Sequence, residues 1–129
     1  MARATAHIGT EAYATQIETA GRTLIADEPE GNGGKNAGLA PYDLLLSSLS
    51  ACTAITLRMY ADRKQWPMES AEVALHFYRD DTGKEFIDRT LLLSGPLDKD
   101  QIARLLDVSE RTPVTKTLKQ GLTIKTSLA

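Results

Sequence analysis

The sequence predicts an α+β domain, and three observations carry that prediction. Alternating apolar and polar runs fill the opening of the chain and return after Trp66-Pro67. A long stretch without a breaker lies between them. Helical spacing then takes over from Leu97. A length of 129 residues suits one domain, 1–129, with one core. Hydrophobic residues at 42% and charged residues at 25% are globular values, which excludes a disordered or collagen-like chain.

Residues 2–8 and 11–18 read as strands separated by the turn Gly9-Thr10, and Ala20-Gly21 turns the chain into a third, 22–27. This is a three-stranded meander. Residues 28–40, EPEGNGGKNAGLA, have neither period and read as a surface loop. From Pro41, a residue suited to a first helical turn, the chain runs unbroken to Trp66-Pro67. That predicts a helix of about 24 residues, roughly 36 Å long. Leu45, Leu49, Cys52, Thr56 and Tyr60 recur at helical spacing. Leu44, Leu46, Ala51, Ile55 and Leu57 spread apolar character around the other faces, and no charge falls between Asp43 and Arg58. A helix apolar all round needs cover all round. One small sheet covers one side, so a second copy of the chain is expected on the other.

Beyond Trp66-Pro67, residues 69–79 alternate, with Val73, Leu75 and Phe77 on one face. Asp80-Asp81-Thr82-Gly83 turns into 85–94, where Ile87, Leu91 and Leu93 repeat the pattern. Residues 97–110 carry Ile102, Leu105, Leu106 and Ser109 at helical intervals, with Asp98 and Asp100 in the first turn. Thr112-Pro113 opens a short helix through Lys119, with Thr112 expected as its N-cap hydrogen-bond acceptor, and Gly121 ends it. Leu122, Ile124, Thr126 and Leu128 then alternate as a last strand.

Fifteen basic and seventeen acidic residues leave a net charge of −2 without a block of one sign, so no nucleic-acid partner is expected. Residues 1–8 lack the basic start and apolar run of a signal peptide. No apolar stretch reaches the ~18 residues of a membrane span, so a cytoplasmic location without a membrane partner is expected. A single cysteine, Cys52, fits a reducing compartment and cannot pair within its own chain.

Several motifs invite chemistry and fail. Gly33-Gly34-Lys35 resembles the end of a phosphate-binding loop, but Pro29 stands where a glycine is needed and Asn36 where Ser or Thr is needed. His7 and His76 lie on separate strands without partners at metal spacing, so no metal and no cofactor is expected. Ser47, Ser48 and Ser50 lie within the helix and not at a nucleophile elbow. Cys52 is the informative residue. On its own terms it is either a small core hydrophobe or a nucleophile. Its helical neighbours Ser48, Leu49, Ile55 and Thr56 offer no cation, so activation must come from elsewhere in the fold.

The segment ADEPEGNGGKNAGLAPYDLLLSSLSACTAITLRMYADRKQWPME, followed later by RLLDVSERTPVTKTL, resembles the OsmC-like superfamily, which includes the organic hydroperoxide resistance proteins. The likeness runs from about Ala26 to the C-terminus and is strongest over 27–69. It implies an intertwined homodimer whose long central helices are wrapped by antiparallel sheets. It also implies that Cys52 matches the peroxidatic thiol, which in active members is resolved by a second cysteine in a Cys-Pro-Val segment and regenerated by a dithiol. Here Thr112 stands in that second position, in Thr112-Pro113-Val114. The family's glutamate falls at Tyr42, with Asp43 one position displaced, and Arg22 is the nearest candidate for the family's early-strand arginine. The resemblance therefore implies a one-cysteine thiol peroxidase that needs an external thiol reductant. The alternative is a non-catalytic binder of an apolar small molecule in an interface pocket near Cys52, Tyr42 and Thr112.

Overall fold

The computed structural model describes residues 1–129. Five strands and three α-helices follow in the order β1 (Ala4–His7), β2 (Thr15–Thr19), β3 (Arg22–Ala26), α1 (Pro41–Lys64), β4 (Ser70–Arg79), β5 (Glu85–Ser94), α2 (Lys99–Ser109) and α3 (Pro113–Gln120). The class is α+β, with two antiparallel sheets, β1-β2-β3 and β4-β5. By contacts the chain forms two compact units, Met1–Leu45 and Leu46–Ala129.

In the first unit the meander forms, with Ala4 opposite Thr19 and Thr15 opposite Ala26. Its first connection is longer than the Gly9-Thr10 turn expected, because the chain leaves the sheet after His7 and rejoins it at Thr15. The departing segment is held by the following loop. Glu11 pairs with Lys35 at 2.8 Å, and the ring of Tyr13 lies against Gly33. The loop itself is ordered around the carboxylate of Asp27, a buried residue that accepts from the N–H groups of Glu28 (2.7 Å), Lys35 (3.2 Å) and Ala37 (3.1 Å). Those donors, Ala37 foremost, hold the Asp27 carboxyl below the usual range against the opposing push of burial. Gly34 is required there, since a Cβ would run into the carbonyl of Glu28 and the Asp27 carboxylate.

In the second unit β4 and β5 pair along their whole lengths, with Ala71 opposite Leu93, Val73 opposite Leu91, Leu75 opposite Arg89 and Phe77 opposite Ile87. Leu57 and Ala61 of α1, Met68, and Leu105 and Val108 of α2 form the core. Tyr60, Trp66, Ala71, Leu91, Leu93 and Leu97 pack against it. Helix α2 starts in a capping box: the Asp98 carboxylate accepts from the Gln101 N–H, and the Gln101 side chain accepts from the Asp98 N–H. Gly95, at φ 115°, brings the chain so close to the Pro67 carbonyl that no side chain fits.

Three further expectations need correction. Residues 122–128 form no strand; Leu122, Ile124 and Leu128 stay exposed because no strand of this chain lies beside them. An alternating segment without a partner has no ladder to join. Thr112 stands at the N-cap of α3, but its hydroxyl makes no capping bond to the backbone. Finally, α1 does meet the length and apolarity of a membrane span, with a mean hydropathy of 1.3. Such a score tolerates Arg58 and the hydroxyls, and Leu57 and Ala61 of this helix lie in the protein's own core.

Candidate functional site

Cys52 lies midway along α1, part-exposed and unpaired. The helix buries Leu49, Thr53, Leu57 and Ala61, one residue per turn, so the inward stripe passes through the neighbour of Cys52 and leaves the thiol on its flank. Thr53 is fully buried. Its hydroxyl donates to the Leu49 carbonyl at 2.8 Å and accepts from Nη1 of Arg89 at 3.1 Å.

Arg89 is the residue that the sequence reading missed. It occupies an inward position on β5 between Ile87 and Leu91, with its side chain only 12% exposed. Nη1 also donates to Thr115 Oγ1 of α3 at 2.8 Å. Thr115 in turn donates to the Ser109 carbonyl at 3.4 Å, which makes the Thr112 hydroxyl, 2.6 Å away, the donor to Thr115. A chain of hydrogen bonds therefore runs from Thr112 through Thr115 and Arg89 to the residue beside Cys52. The carboxylate within ion-pair distance of Arg89 is Glu110, at the loose separation of 3.8 Å. Glu110 is bound more closely by Lys119, at 2.7 Å, and that bond, aided by the charges of Lys119 and Arg89, holds its carboxyl below the usual range.

The other expected site residues belong to the first unit. Tyr42 and Asp43 lie in the opening turn of α1 and are exposed; Asp43 reaches back to accept from the Ala40 N–H at 3.2 Å. Arg22 opens β3, donates to the Ala20 carbonyl at 3.3 Å and borders a shallow polar groove with Arg3, Glu18 and Thr19. Among the expected residues, Cys52 and Thr112 share the second unit and are linked through Arg89.

The family model of the OsmC-like proteins matches residues 33–127, a span that includes Cys52, Arg89 and Thr112. The chain belongs to the OsmC-like family. No curated protein sequence matches it significantly. Solved structures share the fold at low identity. An OsmC-like protein from Mycoplasma pneumoniae is 20% identical at a TM-score of 0.78, covering 92% of this chain and 87% of its own. An organic hydroperoxide resistance protein from Legionella pneumophila is 19% identical at 0.67, covering 92% and 89%. The organic hydroperoxide resistance protein OhrB of Bacillus subtilis is 21% identical at 0.63, covering 92% and 90%. For this OsmC-like chain, the order of strands and helices is thus that of the family.

Proposed function

We propose that this OsmC-like protein reduces organic hydroperoxides through Cys52 as a one-cysteine thiol peroxidase acting in oxidative-stress defence in the cytoplasm. The observation that carries the reading is the part-exposed thiol on the family-matched central helix, in a fold shared with organic hydroperoxide resistance proteins. The thiolate of Cys52 attacks the terminal oxygen of the hydroperoxide; the O–O bond breaks, an alcohol leaves, and Cys52 becomes a sulfenic acid. With Thr112 in the second position no thiol of the same chain condenses with it. An external dithiol attacks the sulfenic sulfur, releases water, and closes to its own disulfide as Cys52 is returned to the thiol.

The same reading makes the protein a homodimer. In support, α1 leaves Ile55 and Met59 exposed at 55% and 61%, and the tail leaves Leu122, Ile124 and Leu128 uncovered. Apolar surface of that extent is characteristic of a face that meets a partner.

Mass spectrometry of the protein treated with a bulky organic hydroperoxide, or with hydrogen peroxide, tests the chemistry. A one-oxygen gain on Cys52 is expected, faster with the organic peroxide, absent in Cys52→Ser and reversed by a dithiol. A Cys52 that stays reduced under both oxidants overturns the proposal.

A further inference from the structure

We propose that Arg89 is a specificity-determining and positioning residue for Cys52: it fastens the Cys52 turn of α1 to the opening of α3 and gives the thiol a positively charged surrounding that favours anionic reactants. The inference rests on the reading of Cys52 as the reactive thiol.

The fold itself does not require a cation at position 89. Arg89 is largely buried, and taking a guanidinium out of water costs several kcal/mol unless it is well paired. Its acidic neighbour is distant at 3.8 Å and already engaged with Lys119, so its close partners are the neutral hydroxyls of Thr53 and Thr115. Those hydroxyls do not need it. Thr53 has the Leu49 carbonyl, and Thr115 has the Ser109 carbonyl and the Thr112 hydroxyl. A methionine in the same place would leave every one of these groups bonded and remove the desolvation cost. A buried cation that satisfies no group otherwise left unsatisfied contributes chiefly its charge and its reach across three elements.

That charge bears on Cys52. Thr53 and Cys52 are consecutive on α1 with side chains 100° apart, and the guanidinium stands 3.1 Å beyond the Thr53 hydroxyl, which puts its charge roughly 10 Å from the thiol. At that range a unit charge seen through an effective dielectric constant between those of surface and water changes the local concentration of a monovalent anion by about twofold to fourfold. The helical neighbours of Cys52 supply no cation, so a positive bias at the thiol would have its source in Arg89 on β5.

Alkylation provides a readout independent of peroxide chemistry, because Cys52 is the one thiol in the chain. The rate with iodoacetate, an anion, is divided by the rate with neutral iodoacetamide and normalised to the same ratio for glutathione. The wild-type ratio should be raised at low salt and fall toward that of glutathione in 0.5 M potassium chloride, where the same distance spans about two Debye lengths. Arg89→Met should lower it about threefold, and Arg89→Lys, which keeps the charge, should restore most of it. An unchanged ratio in Arg89→Met, or loss of both rates alike in Arg89→Met and Arg89→Lys, overturns the proposal. Should Arg89→Met not fold, a salt-insensitive wild-type ratio overturns it equally. A raised ratio with no oxidation of Cys52 by peroxide separates the two readings, sustaining the role of Arg89 while removing the peroxidase.

Discussion

Substitutions at Thr112 separate a helix cap from a buried hydrogen-bond donor. Thr112 is fully buried, and its hydroxyl donates to Thr115 at 2.6 Å instead of capping the backbone of α3. Thr112→Val keeps the shape and removes that bond, which costs about 1 kcal/mol. The partner is not stranded, because Thr115 still accepts from Arg89 and donates to the Ser109 carbonyl. Thr112→Ser keeps the hydroxyl and loses a buried methyl, about 0.8 kcal/mol of transfer plus a small cavity, so roughly 1 kcal/mol again. Thr112→Ala loses both, about 2 kcal/mol. A capping threonine whose methyl faced solvent would behave differently, since serine caps at least as well and would cost nothing. Equilibrium unfolding in urea, followed by far-ultraviolet circular dichroism, reads these differences as shifts of midpoint at constant slope. A Thr112→Ser protein as stable as wild type, beside equal losses for Val and Ala, would refute the buried-network reasoning.

Two further outcomes are expected. Because the folded carboxyl of Asp27 is held low, its contribution to stability is complete above the unfolded value of about 3.9 and is lost as pH falls through the lower folded value. The stability gap between wild type and Asp27→Asn should therefore stay flat from pH 7 to about 5 and close only in stronger acid; a gap already closed at pH 5 contradicts the bonding described. The exposed flank of α1 predicts a wild-type dimer in sedimentation velocity at low micromolar concentration and a monomer for Ile55→Glu, whose new charge faces the proposed partner. A monomeric wild type ends the dimer proposal.

How much of this was legible in the sequence depends on whether a feature is periodic. Helix α1 could be read from its unbroken run after Pro41 and strand β5 from its alternation, and Glu85–Ser94 emerges with the expected bounds, but the stripe α1 buries is Leu49, Thr53, Leu57 and Ala61 and not the expected Leu45, Leu49, Cys52, Thr56 and Tyr60. The order around Asp27 was not legible, since a carboxylate gathering backbone N–H groups leaves no pattern in side-chain types. The tail shows the converse case: 122–128 carries the period of a strand, yet a period specifies a face and not the neighbour that completes the ladder. Arg89 lies between these cases. Positions 87, 89, 91 and 93 form one face of β5, and three of them are the apolar residues Ile87, Leu91 and Leu93. The fourth is a charge at an inward position, and burial of a charge is the departure from pattern that most often carries a purpose. Treated as a gap in an apolar run, Arg89 disappears from view. Treated as an inward cation, it calls for partners on whatever packs against β5. Those partners are the hydroxyls of Thr53 and Thr115, which tie the residue beside Cys52 to the turn that holds Thr112.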